Sequence, residues 1–314
     1  MTAAELTEAV DAGGLLPPDQ PVIVMASGGR DSTCLLDVAV RLLGPDRVTA
    51  LHLNYGLRED SDGDEEHCRE LCRRLGVALE TRRPQRPEGP GNLQSWARES
   101  RYAAAAELAV PAEARIATGH TADDQVETIL YRLASSPSRR ALLGMRAEDG
   151  RLVRPLLGLT RADTTAYCEE RGLAWRDDSS NDDGAYARNR VRHGLIPALA
   201  EVHPAAAANV LRTAELLRDE AAVLDELVAE EIGANGAGPG RISLQRLAEL
   251  PPALRRLVVQ RLADRAAGRP VAGAARHAEE VAGLTRGGSA IDLGSGVRAV
   301  LENGFVRAEL VSRP

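Results

Sequence analysis

Short apolar runs alternate with longer stretches of helical apolar spacing through the N-terminal two thirds of the chain. Val22-Ile23-Val24-Met25-Ala26 is apolar at every position, the pattern of a strand covered on both faces. Behind it, Leu35, Leu36, Val38, Ala39, Leu42 and Leu43 recur at helical spacing between Ser32 and Leu43. Read the same way, the pattern predicts strands over 22–27, 48–54, 78–82 and 115–119, and helices over 32–43, 62–75, 93–108 and 121–134. Such βαβα order predicts an α/β fold, a parallel sheet with helices on both faces. From His203 the chain turns Ala/Leu/Glu-rich and helical to about Ile232, and Gly233–Gly240 reads as a linker. A small α+β unit follows, with helices near 252–267 and 273–285 and strands over 290–293, 297–302 and 305–310. Asn303-Gly304 between the last two strands is a type I′ hairpin signal. These changes of character divide the chain into 1–202, 203–240 and 241–314.

The densest chemistry sits where the first strand meets its helix, at Ser27-Gly28-Gly29-Arg30-Asp31-Ser32. Without Cβ atoms at Gly28 and Gly29, backbone N–H groups can approach an anion closely. The helix N-terminus aims about half a positive charge and unsatisfied donors at the same spot. Ser27 and Ser32 add hydroxyls, and Asp31 can hold a metal or orient a leaving group. A nucleotide phosphate is the natural guest, bound at the C-terminal ends of the strands.

Composition narrows the chemistry. The chain has 314 residues and no lysine, so all 39 of its Lys+Arg residues are arginine. A Walker A loop, which needs a lysine on the β/γ-phosphates, is excluded, as are Schiff-base and lysyl-adenylate chemistry. Phosphate charge must then be met by arginine, backbone and metal. The net charge of −7 argues against a generic nucleic-acid binder, but arginines cluster at Arg139-Arg140, Arg188-Arg190-Arg192 and Arg255-Arg256, so nucleic acid would bind a patch. Cys34, Cys68, Cys72 and Cys168 have no CxxC spacing and read as reduced thiols, with Cys68 and Cys72 as small buried hydrophobes. The first residues lack a signal-peptide pattern, and no apolar stretch approaches the ~20 residues of a membrane span. The expectation is a soluble, cytoplasmic protein without membrane association.

Several further clusters fall at the same predicted sheet edge. His52-Leu53-Asn54-Tyr55-Gly56-Leu57-Arg58 closes the second strand where a base and ribose would sit. Gly119–Thr128 leaves a strand and enters a helix; Thr121 with Asp124 suggests a capping box, which leaves His120, Asp123, Gln125 and Glu127 unexplained. Asp124 can cap and do chemistry together. Arg98 and Arg101 stand at i and i+3 on one predicted helix face. An acidic turn at Asp177–Asp182 precedes Arg188, Arg190, Arg192 and His193, a dense feature suited to phosphate or carboxylate recognition.

The Ser27–Ser32 loop has the SGGxDS form of the PP-loop ATP pyrophosphatases, and more of the chain resembles one branch of them, the tRNA(Ile)-lysidine synthetases. The resemblance is carried by HLNYGLRE, the ARxxRY ending at Tyr102, GHTADDQVET, RPLLGLTRADTTAYC, WRDDSSN and YARNRVRHGLIPAL, in order from residue 22 to about 200. It implies a PP-loop, adenine nucleotide alpha hydrolase-like catalytic domain and a small C-terminal domain that contacts tRNA. It also implies a two-step ligase whose substrates are ATP with Mg²⁺, free L-lysine and tRNA(Ile) with a CAU anticodon, and it is compatible with a homodimer. The wobble cytidine is adenylated at its C2 oxygen, and the lysine ε-amine then displaces AMP. On this resemblance Ala26, Ser27, Gly28, Gly29, Arg30, Asp31, Ser32, His52 and Asn54 bind the nucleotide, and Asp31 holds the metal. Asp31, Arg101, His120, Asp124 and Arg192 are the catalytic set: Arg101 for adenylation, Asp124 and Arg192 for lysine, and His120 as proton handler at an ordinary imidazole pKa. Where the family usually carries a basic RGSG-type segment, this chain has Ser135-Ser136-Pro137-Ser138-Arg139-Arg140, so any substrate contacts of that segment are remade by Arg139 or Arg140 or are lost. Alternatives are cytidine thiolation, which would want paired cysteines; a PP-loop amidotransferase, which would need an ammonia source; and a silent tRNA- or ATP-binding module.

Overall fold

A computed structural model describes residues 1–57, 60–87, 93–136, 139–176, 187–234 and 238–311. Two compact units result, Met1–Glu215 and Leu216–Pro314. The first is built on a six-stranded sheet of β1 (Val22–Met25), β2 (Val48–Leu53), β3 (Ala78–Arg82), β4 (Arg115–Ala117), β5 (Glu148–Asp149) and β6 (Leu152–Val153). Their order is β3-β2-β1-β4-β6-β5, parallel throughout except for the β5–β6 hairpin. Around it lie α1 (Ala3–Ala12), α2 (Arg30–Leu43), α3 (Ser61–Leu75), α4 (Leu93–Ala109), α5 (Ala122–Ser135), α6 (Arg139–Leu142) and α7 (Arg161–Glu170).

The uniform apolarity of β1 follows from burial on both faces. Val22 and Val24 enter one core with Leu35, Leu36 and Tyr167, while Ile23 and Met25 enter a second with Leu51, Ala105 and Ala109. Full burial of Leu35 and Leu36 contributes about 1.5–3 kcal/mol each. Helix α2 is also pinned by polar contacts: buried Asp37 accepts from Tyr167 Oη at 2.6 Å and Arg171 Nε at 3.1 Å. That brace fixes α2, and with it the loop at its start, against α7.

The chain runs from β1 outward through β2 and β3, then crosses back to place β4 on the other side of β1. Strand order therefore reverses between β1 and β4, and their C-terminal ends open a crevice of the kind that binds ligands. Beyond it, α8 (Ala187–Arg190), a π turn (Val191–Leu195) and α9 (Ile196–Val202) follow one another directly. Pro197 has no N–H to give the His193 carbonyl, and the N–H of Ile196 bonds the Val191 carbonyl five residues back instead.

The second unit has its own core, with Val258, Leu262, Leu293, Val297 and Val306 buried together. Its antiparallel sheet runs β7 (Arg241–Ser243), β10 (Phe305–Leu310), β9 (Val297–Glu302) and β8 (Ala290–Gly294). The unit also holds α11 (Leu244–Glu249), α12 (Pro252–Ala267) and α13 (Ala278–Ala282), after the long α10 (Ala206–Glu231). Asn303 and Gly304 have φ of 51° and 79°, the type I′ turn that their sequence signals. The helix predicted over 273–285 is instead a 3₁₀ turn, Ala274–His277, followed by the short α13. Among the described residues no helix is long and apolar enough to cross a membrane.

Candidate functional site

Helix α2 starts at Arg30, two residues before the predicted boundary, and its N-cap is Gly29, which has no side chain to cap the first turn. The orphan N–H groups stay directed at the crevice. Gly28 adopts φ of 83°, open to glycine and strained for other residues. The loop is cross-braced by its serines. Ser32 Oγ donates to the Gly29 carbonyl at 2.8 Å and accepts from Ser27 N at 3.2 Å and Ser27 Oγ at 3.0 Å. On the outer side, Arg176 N donates to the Gly28 carbonyl at 3.0 Å. Its guanidinium is held by Asp60 and by Asp64, the latter at 2.7 Å.

Asp31 turns toward α7. Its Oδ1 accepts from Thr164 Oγ1 at 2.5 Å and Arg30 Nε at 3.1 Å, while among the described residues Oδ2 has only a 3.5 Å contact with Arg30 Nη2. Among the described residues no group of three His, Cys, Asp or Glu side chains forms a metal site. One carboxylate oxygen suits a Mg²⁺ that keeps most of its ligands as phosphate and water.

At the end of β2, His52 and Asn54 are buried. His52 Nδ1 donates to the Ala26 carbonyl at 2.9 Å, leaving Nε2 without a partner among the described residues. Asn54 Nδ2 bonds both Asp62 and Glu65 at 2.9 Å, and Arg83 meets the same Glu65 at 2.7 Å. A cavity of 300 Å³ opens here, with Asn54, Tyr55, Asp62 and Arg83 in its wall. Arg101 is exposed and donates from Nε to Tyr55 Oη at 3.3 Å, whereas Arg98 lies over the Tyr102 ring at 4.9 Å. The two arginines share a helix face but serve different partners.

Across the crevice, the loop after β4 meets the Ser27–Ser32 loop backbone to backbone. A Cβ on Gly119 would stand 2.9 Å from the Asp31 carbonyl carbon and oxygen. His120 follows, its Nδ1 2.8 Å from Thr118 Oγ1. Burial drives its pKa down to about 4; Asp124 opposes this, and the guanidiniums of Arg154, Arg188 and Arg98 add to it. The expectation of an ordinary imidazole pKa is thereby corrected. At neutral pH His120 is uncharged and a weak base, suited to orienting by hydrogen bonds.

The capping box at the start of α5 is present, and Asp124 serves two ends. Its Oδ2 accepts from Thr121 N at 2.9 Å, and its Oδ1 accepts from Arg161 Nη2 at 2.7 Å. Burial would raise its pKa, but Arg161 and the Thr121 N–H prevail and hold the carboxyl below the usual range. One turn on, fully buried Glu127 takes Arg192 Nε at 2.6 Å, Arg161 Nη1 at 3.0 Å and Arg188 Nε at 3.5 Å. Arg192 also reaches Asp124, at 3.8 Å. Two carboxylates and three guanidiniums thus interlock, able to meet an ammonium and a carboxylate at once.

The structure brings together Asp31, His120, Asp124 and Arg192, and places Arg101 at the neighbouring β2 end. Glu127 is the residue that the sequence reading left without a role. Its spacing was the available signal, since Asp124 and Glu127 are i and i+3 and Arg188 and Arg192 are i and i+4, each pair on one helix face. Arg58, Pro137, Ser138, the acidic turn Asp177–Asp182 and Tyr186 lie outside the described residues. Arg139 and Arg140 begin α6. All four cysteines are buried; burial pushes the Cys68 thiol up to about 12 and Cys72 to about 11.

Residues 2–199 match the family model of the PP-loop domain. The chain is 38% identical to the tRNA(Ile)-lysidine synthase of Symbiobacterium thermophilum, over 94% of this chain and 66% of the relative. It is 39% identical to that of Geobacter sulfurreducens, over 70% of this chain and 48% of the relative. The chain thus spans about half to two thirds of the length of these curated relatives. Among solved structures, the U34-tRNA thiolase NcsA from Methanococcus maripaludis superposes with a TM-score of 0.57 at 15% identity, covering 68% of this chain and 78% of that one. That likeness concerns the fold alone.

Proposed function

The chain belongs to the PP-loop family, and on that premise we propose that it joins L-lysine to C2 of the wobble cytidine in tRNA(Ile) with a CAU anticodon. The observation that carries the reading is the Asp124–Glu127 pair, interlaced with Arg161, Arg188 and Arg192 and set beside a phosphate-gripping loop. Simple nucleotide binding has no use for two buried carboxylates at that place. An amino acid bearing two ammonium groups and a carboxylate does.

In the first step the cytidine C2 oxygen bonds the α-phosphorus of ATP, and the bond to pyrophosphate breaks. The Ser27–Ser32 backbone and the α2 N-terminus hold the departing phosphates. Asp31 would hold Mg²⁺ there, and the ion would supply charge neutralisation to the phosphates. Arg101, on the exposed side of Tyr55, lends positive charge to the transferring phosphoryl. In the second step the neutral ε-amine bonds C2, the C2–O bond breaks with AMP as leaving group, and the amine gives up one proton. Asp124 holds the amino acid by its ammonium, Glu127 keeps Arg192 in place, and Arg192 meets the carboxylate. His120, neutral and fixed by Thr118, orients the reacting groups. The small C-terminal unit contacts tRNA.

Thiolation is disfavoured because all four thiols are buried in the packed interior. The test is direct: incubate the chain with ATP, lysine and a CAU-anticodon tRNA(Ile) transcript, then weigh the nucleosides. A lysine adduct on cytidine is expected. Pyrophosphate release with no such adduct would overturn the reading.

A further inference from the structure

Beside the Asp124–Glu127 pair lies a second group of side chains that the proposed chemistry does not use. Arg154 is 6% exposed, directly after β6, and has no carboxylate partner among the described residues. Its Nη1 donates to the Arg146 carbonyl at 2.5 Å, and its Nε is buried with no hydrogen-bond partner among the described residues. A buried donor of a charged group, left unsatisfied, costs folding energy unless a ligand completes it. Arg132 is half-buried and donates to the Gly144 carbonyl at 2.7 Å, again without a carboxylate partner among the described residues.

The segment between these two anchors is itself fixed. Gln125 bonds Met145 on both sides, accepting from its N–H at 2.6 Å and donating to its carbonyl at 2.9 Å. Three successive carbonyls, of Gly144, Met145 and Arg146, are therefore each capped by a side chain. Gly144 has φ of 65°, and a Cβ there would lie 2.5 Å from Gln125 Oε1. The guanidiniums are held by backbone oxygen, which orients them without cancelling their charge. Arg98 and Arg188, both exposed, act on the same place: their charges, with that of Arg154, bear on both His120 and Arg132.

The arginines form a graded series, from Arg98 at the surface through Arg132 to Arg154 at the floor. Arg161, Arg188 and Arg192 meet the two carboxylates Asp124 and Glu127, while Arg98, Arg132 and Arg154 have no carboxylate partner among the described residues. That excess is more than one amino-acid carboxylate needs, and the ATP phosphates have their own seat at Ser27–Ser32. We infer that Arg98, Arg132 and Arg154 form an anion subsite for a backbone phosphate of the tRNA strand next to the reacting base, with Arg154 at its floor. This assignment rests on the tRNA-modifying reading above. It gives an acidic chain a local funnel for a polyanion, which holds the strand while the base enters the crevice.

The experiment measures equilibrium binding of a CAU-anticodon tRNA(Ile) transcript from 50 to 200 mM salt, with KM for lysine and for ATP measured in parallel. Arg154→Met and Arg132→Gln are compared with the unaltered chain. Each should weaken tRNA binding about tenfold and reduce the slope of log K against log salt by about one, with both KM values unchanged. Should Arg154→Met fail to fold, Arg132→Gln, which loses one bond to a carbonyl, gives the same reading. A rise in KM for lysine with tRNA affinity intact would overturn the assignment in favour of an amino-acid carboxylate. A rise in KM for ATP alone would overturn it in favour of the triphosphate, and unchanged tRNA affinity and slope would overturn it outright. Binding is read without turnover. Thus an unaltered chain that binds tRNA but makes no lysidine would count against the reaction, not against the subsite.

Discussion

Glu127 holds three arginines on two oxygens, and its charge is what keeps them in one place. Glu127→Gln leaves the shape and removes that charge. Loss of a charge-assisted hydrogen bond, about 1.5–3 kcal/mol, corresponds to about 10- to 100-fold in rate. The expected outcome is a fall of that size in lysine transfer while ATP-dependent pyrophosphate release persists; equal loss of both steps would show that Glu127 serves the fold only. His120 makes a separate prediction. Its folded pKa of about 4 lies below the 6.5 of the free side chain, so between those values the unfolded chain binds a proton that the folded chain refuses. Stability is therefore present in full above about pH 6.5 and lost as pH falls toward 4. Urea unfolding at pH 7 and pH 5 should show this loss, and His120→Asn should reduce it. Neither role could be read from residue identity alone. The capping box at Thr121–Asp124 was legible because it is local, whereas the pKa of His120 depends on burial first and then on Asp124, Arg154 and Arg188, an environment that only the fold assembles.

At the scale of elements, two helix starts and two loops are fitted to each other with no room to spare. A Cβ on Gly119 would face the Asp31 backbone, where nothing can move aside. Gly119→Ala must displace one loop, at about 1–3 kcal/mol, and should weaken ATP binding as the Ser27–Ser32 loop shifts. Calorimetric titration with a non-hydrolysable ATP analogue checks this, and unchanged affinity would refute the coupling. The brace behind the loop is also testable. Tyr167→Phe leaves Asp37 buried with one fewer donor and should cost about 1–3 kcal/mol in denaturant unfolding. The sequence pattern predicted β1 to β4 and the helices between them to within about two residues at their boundaries, because each carries several apolar positions in register. It missed the β5–β6 hairpin, two residues a strand, and β7, three residues long, where no period can be counted. It also ran the 3₁₀ turn and α13 together, since the alanines of 274–282 suit either geometry.

On the scale of the whole molecule, the two units keep separate cores, one around Leu35, Leu36 and Tyr167 and one around Leu262, Leu293 and Val297. A chain so built need not unfold in one step. Calorimetry should resolve two transitions, with Leu36→Ala lowering one and Leu293→Ala the other, each by about 2–5 kcal/mol. A single transition that both substitutions shift alike would refute independent cores. Charge is divided as well. Net −7 over the chain coexists with arginines gathered at the crevice, so only the local field can favour tRNA, and it should fade steeply with added salt.

The serine cross-brace has a consequence of its own. Ser27 and Ser32 spend their hydroxyls on one another and on Gly29. An incoming anion competes with bonds that already exist, so a lone sulfate or phosphate gains little by entering. A triphosphate, gripped at several points along its length, gains enough to open the latch. Selectivity for the long anion over the abundant short one is thus built into the resting loop.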